Sequence, residues 1–173
     1  MYILAQVLVF ISIALLVYSS VRKLGRKVVV LFNVLINFFW GIHYLLLEAY
    51  SGAACAAICV VMITVFYFKG KTKFLSSIAL PIVFAVVFIA FGLYTYQNIF
   101  SLLPIIGNVI MCFAFFSDTE IEIKTCFVII AALLTAYNGI IGSVLGCFGQ
   151  VLSLGSNIFF VARYHINKKK EAK

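Results

Sequence analysis

An all-α membrane fold of seven spanning helices follows from three observations: the scarcity of charge, the lengths of the apolar runs, and the side on which the basic residues fall. The 173-residue chain is 65% hydrophobic, has a mean hydropathy of +1.20 and is only 10% charged, where a soluble domain carries about a quarter. Charged residues divide it into four apolar runs, roughly 2–20, 28–68, 74–116 and 125–162. A spanning helix needs about 20 residues, so the first run crosses once. Each of the others, drawn out as one helix, would reach about 57 Å or more against a hydrocarbon core of about 30 Å, and must fold back. One single crossing and three hairpins make seven helices.

Taken in order, helix 1 covers about 2–20, and its positive charges follow the apolar segment, the reverse of a cleavable secretory signal. Small and polar residues then mark each fold-back: Glu48 to Gly52, Thr95 to Asn98, and Gly142-Ser143. The remaining spans are therefore about 28–47, 52–68, 74–94, 99–116, 125–142 and 143–163. Between helices 5 and 6 the acidic segment Ser117 to Lys124 reads as a solvated connector.

All 13 basic residues cluster at Arg22 to Lys27, Lys69 to Lys73, Lys124, and Arg163 to Lys173, and seven spans put every one on the same side. The positive-inside rule makes that side cytoplasmic, with the N-terminus outside and the C-terminus inside. The net charge of +8 is thus topological, with Lys168, Lys169 and Lys170 positioned to meet anionic lipid headgroups. Basic residues confined to short loops and a tail do not suggest nucleic-acid binding. The five cysteines lie within predicted spans without a CxxC pair, so we expect small hydrophobes rather than metal ligands, and no cofactor.

An odd helix count suggests a duplicated three-helix unit joined by one returning helix, a 3+1+3 arrangement. The expected units are 1–73, a linker helix in 74–98, and 99–173. An offset of 94 aligns Gly52 with Gly146, Ala53 with Cys147 and Lys69 with Arg163. This shared pattern of small residues and a cation is faint.

Helix 2 carries Asn33, Asn37, Trp40, Tyr44 and Glu48 on one face, with His43 on its flank. Depths counted from span midpoints place Asn37, Asn108, Thr135 and Ser153 near the bilayer centre, with Asn33, Thr64 and Asn157 on the inner side and His43, Asn138 and Gln150 on the outer. Two readings stand beside each other. The amides either line a midplane cavity or hydrogen-bond across helix interfaces as packing glue, at about 0.6 kcal/mol a bond. No Asp, Glu, Lys or Arg falls in the core of a predicted span, which leaves His43 as the ionisable candidate there. The absence of a carboxylate pair, of HExxH and of a span lysine argues against hydrolases and retinal proteins.

Trp40 and His43, Pro104 to Asn108 followed by Ala114 to Phe116, Tyr137-Asn138 with Gly142-Ser143, and Arg163-Tyr164 give the chain its resemblance to YgjV-like bacterial inner membrane proteins. That family looks related to the MtN3/SWEET and PQ-loop superfamily. The resemblance implies a SWEET-like 3+1+3 bundle and a transporter-type site on the third helix of each half, where Asn157 stands opposite Ile63 and Thr64. Pro104 is the counterpart of a hinge proline, while no Pro-Gln dipeptide occurs.

The sequence thus leads to an inner membrane facilitator passing a small polar solute by alternating access. Asn37, Trp40, Asn108 and Asn157 would line the site, and His43 and Pro104 would gate it. A non-transporting receptor or assembly factor that binds a lipid headgroup or protein tail is the alternative. The oligomeric state is left open.

Overall fold

The computed structural model describes residues 2–46, 50–94, 96, 98–140 and 144–171, with side chains for all of these except 2–6, 44, 50–52, 144 and 171. The expected turns at Glu48 and at Gly142-Ser143, and the side chain of Tyr44, lie outside the described residues. Among the described residues the chain forms seven α-helices: α1 (Tyr2–Val21), α2 (Arg26–Leu46), α3 (Tyr50–Tyr67), α4 (Ala79–Tyr94), α5 (Leu102–Phe116), α6 (Glu120–Ile140) and α7 (Val144–Glu171). A 3₁₀ turn at Ile99–Ser101 leads into α5, capped by the Asn98 side chain, which accepts from the Phe100 amide at 3.0 Å.

Four stretches are long and apolar enough to cross a membrane, Arg26–His43, Ile99–Phe116, Glu120–Ile140 and Leu145–Lys170, and three shorter apolar helices accompany them. Three boundaries differ by five residues or more from those expected. The α4 helix starts at 79 rather than 74, because a succession of turns including Gly70 at φ 93° occupies the residues before it. The α6 helix starts at Glu120 rather than 125, since the acidic segment is folded into the protein. The α7 helix runs on to Glu171, at 28 residues about 42 Å long, because its basic tail holds no helix breaker.

Neighbouring helices in sequence pack together, α1 on α2, α2 on α3, α4 on α5, α5 on α6 and α6 on α7; α7 returns to α1, and a lighter contact joins α3 to α5. The apolar core lies among α2 to α6, with Val30, Met62, Phe66, Phe88, Cys112 and Phe115 all nearly inaccessible. The Phe66 ring meets Phe84 at 5.6 Å and Phe116 at 5.7 Å, edge-on. Large apolar residues such as Phe10, Phe38, Val86, Ile129 and Phe159 point outward instead, the surface a lipid solvent requires.

Where backbones approach, the residues are small: a Cβ on Gly41 would stand 3.4 Å from that of Ala56, joining α2 to α3. Gly92 on α4 sits so close to Ile105 on α5 that any Cβ there would overlap the isoleucine side chain.

At one end of the bundle, charges meet helix termini of matching polarity. Arg26 Nε donates to Ser117 O at 2.6 Å, and its Nη2 to Phe66 O at 2.9 Å and Phe115 O at 3.1 Å, so one guanidinium closes the C-terminal carbonyls of α3 and α5. Lys69 Nζ donates to Phe116 O, pairs with Asp118 at 2.7 Å and lies 4.0 Å from the Phe116 ring centre. We call this the basic end, where α1, α3 and α5 finish and α2 and α6 begin.

Gly92→Val should lower stability by about 1–3 kcal/mol through overpacking, read as a drop in thermal midpoint in detergent. Ile105→Ala in the same chain should restore most of it.

Candidate functional site

The amides of the helical interior satisfy themselves within their own helices. Asn33 Nδ2 donates to Val29 O at 2.9 Å, Asn37 Nδ2 to Asn33 O at 2.9 Å, Asn138 Nδ2 to Leu134 O at 2.7 Å, and Asn157 Nδ2 to Ser153 O at 2.8 Å. Hydroxyls do the same, as Thr64 does to Val60 O and Thr135 to Ala131 O, both at 2.7 Å. In a medium without water, a donation to the carbonyl one turn back avoids the cost of a bare N–H or O–H. These bonds run along helices, so they are not the interhelical glue considered from the sequence.

Two of the amides nevertheless meet. Asn33 on α2 and Asn157 on α7, 8% and 3% exposed, line one cavity together with Ser19 and Ser20 of α1, Lys124 and Phe127 of α6, and Ser153 of α7. Its volume is about 20 Å³, room for a water molecule. Each Nδ2 already donates along its own helix and the Ser19 hydroxyl donates to Leu16 O at 2.9 Å, so the amide oxygens and the second N–H of Asn33 are what these two residues have left to offer an occupant.

On the basic side the wall includes Lys124, which is held in an ion pair. Lys124 is 1% exposed, and its Nζ pairs with Glu120 Oε1 at 2.7 Å, donates to Arg22 O at 2.7 Å and Ser20 O at 3.1 Å, and lies 3.4 Å from the Phe160 ring centre. The ammonium thereby closes the carbonyl end of α1. Glu120 accepts from Gly25 N at 2.6 Å and from Leu24 N at 3.1 Å, capping the N-terminus of α2 from across the bundle. The segment expected as a solvated connector is therefore partly buried, and its charged pair sits at the start of α6, ahead of the span expected from 125. The clue in the sequence was the spacing of Glu120 and Lys124, one helical turn apart.

Of the residues singled out from the sequence, Asn33, Ser153 and Asn157 belong to the cavity wall. Asn37, half-buried, stands one turn beyond Asn33 away from the basic end. Farther along α2, Trp40 and the buried His43 pack edge-to-face at 5.4 Å. Asn108 and Pro104 are half-buried on α5, whose main neighbours are α4 and α6. Thr64 faces outward from α3, whereas Ile63 is fully buried. Lys124, Ser19 and Ser20 were not singled out, since only the approach of α1 to α6 and α7 brings them to the amides.

Lys124→Met should cost about 3–5 kcal/mol, because it strands the Glu120 carboxylate without its counter-ion. Adding Glu120→Gln should return part of that loss, measured by denaturant unfolding in micelles.

No curated protein and no solved structure matches the chain. A family described as bacterial inner membrane protein, Imp-YgjV, matches residues 3–168, nearly the whole length. That extent, on a helical chain with several membrane-length apolar segments, makes it an integral protein of the bacterial inner membrane and a member of the Imp-YgjV family.

Proposed function

We propose that the protein is a facilitator that carries a small, polar, uncharged solute across the inner membrane by alternating access. The observation that carries this reading is the shared cavity of Asn33 and Asn157, polar groups from the first and last thirds of the chain held together at a junction of four helices. Transporters built from repeated helical units place their sites at such junctions. The amide oxygens and the remaining Asn33 N–H suit a solute that both donates and accepts hydrogen bonds.

In this reading the bundle is a SWEET-like 3+1+3 structure, with 1–73 and 99–173 as its two halves and α4 as the linker. Support comes from α4 packing chiefly on α5, outside the run of contacts that leads from α5 through α7 to α3. Asn37 continues the amide path along α2, and the Trp40–His43 pair forms the outer gate. Asn108 and Pro104 move with α5. The basic end faces the cytoplasm, by the positive-inside rule, and the N-terminus lies outside. Lys168, Lys169 and Lys170, exposed on the last turns of α7, rest against anionic headgroups. The protein works without cofactor and without covalent chemistry.

Solute entry into proteoliposomes, screened over small neutral polyhydroxy and amide compounds, should be lost in Asn157→Leu and in Asn33→Leu, while thermal stability changes by about 1 kcal/mol or less. Flux that survives both substitutions sends the function elsewhere. A C-terminal fluorescent fusion that must fold in the cytoplasm should light up, and a cysteine near the N-terminus should react with an impermeant thiol reagent applied outside.

A further inference from the structure

We propose that the Glu120–Lys124 pair is the inner gate of the cavity, a polar latch that shuts it toward the basic end by holding the turn between α1 and α2. The proposal rests on the transport reading for its purpose, although its geometry stands by itself. Lys124 has two roles at once: its side chain forms part of the cavity wall, and its ammonium reaches the last carbonyls of α1. Ser20 behaves likewise, lining the cavity while its carbonyl accepts from Lys124. Arg26 and Lys69 also tie helix ends together, yet neither touches the cavity.

Arg26 anchors the start of α2 just beyond it, but the turn itself, residues 22–25, has little besides the pair to hold it. Arg22, Lys23 and Gly25 are exposed, and Leu24 alone packs inward, against the core. Gly25 adopts φ 77°, a conformation glycine takes without strain, and nothing lies within 4 Å of where its Cβ would be. Its amide and that of Leu24 are fixed by the Glu120 carboxylate. Hydrogen bonds, rather than packing, set the position of this segment at Gly25. Once α6 draws the pair away from this turn, the end of α1 loses its ammonium cap and the start of α2 its carboxylate cap in one event, which opens a way from the basic end to Asn33 and Asn157. Burial makes the closed state stable, since both charges are withdrawn from water only while they hold each other.

The experiment places a single reporter cysteine at Asn33 in a chain whose native cysteines are replaced by alanine, with Lys71→Cys, exposed at the basic end, as the control. Membrane vesicles are treated from the cytoplasmic side with an impermeant charged maleimide. With the pair intact, the cysteine at 33 should react slowly; Glu120→Gln or Lys124→Gln should speed it at least about tenfold, the response of a closed state that loses its bias, without changing the control. Equal rates at 33 in all folded variants, or equal acceleration at both reporters, overturn the gate. If the cysteine-free chain does not fold, hydrogen exchange over residues 20–26 in the native-cysteine protein decides: faster exchange in Lys124→Gln confined to that turn supports the latch, and unchanged exchange removes it. Responsive labelling without solute flux in proteoliposomes would refute the transport reading and keep the gate, whereas flux with unresponsive labelling would do the reverse.

Discussion

A helix end buried in a nonpolar medium leaves up to four carbonyls or four amides without partners, and this protein meets that constraint at its basic end with charged side chains borrowed from other helices. Lys124 closes α1, Arg26 closes α3 and α5, Lys69 closes α5, and Glu120 caps α2. Each charge faces the helix-dipole pole that attracts it. The same contacts hold α6 against the α1–α2 turn and α2 against the ends of α3 and α5. The neighbour relations of the bundle therefore depend on them as much as on the apolar core.

The interior follows a second, local solution. Amides and hydroxyls along α2, α3, α6 and α7 donate to carbonyls one turn back, so polar side chains enter lipid without needing partners on another helix. This leaves the interhelical surfaces free to be set by small residues such as Gly41 and Gly92 and by aromatic contacts around Phe66. It also leaves amide capacity uncommitted, and where two helices bring such amides beside serines and a lysine, a small polar chamber results. A polar cavity is then a product of amides that bond along their own helices and keep further hydrogen-bonding capacity toward their neighbours.

Membership of an inner membrane protein family agrees with the apolar outer surface and with the concentration of cations at one end. The lattice at that end uses Arg26, Lys69 and Lys124 internally, while Arg22, Lys23, Lys27, Lys71 and Lys73 stay exposed. Positive charge consequently serves two purposes here. Part of it satisfies helix termini, and the rest is available to water and headgroups.

Composition, run length and the placement of lysine and arginine were enough to read an all-helical membrane chain, seven helices and most of their bounds, because hydrophobic length against bilayer thickness is a one-dimensional property. The chemistry of individual positions was legible too: Asn157 and Asn33 stood out as polar groups among apolar neighbours. Which of them meet was not legible. Asn33 and Asn157 share a chamber while Asn37 and Asn108 stay outside its wall, an outcome of helix rotation and pairing that sequence spacing does not encode. Likewise Ser117 to Lys124 looked like a wet connector by composition, and became a buried junction because the amides of Leu24 and Gly25 and the carbonyls of α1 were brought to it by the fold. Local periodicity determined the helices; contacts between residues about a hundred positions apart, which depend on three-dimensional packing, decided the site.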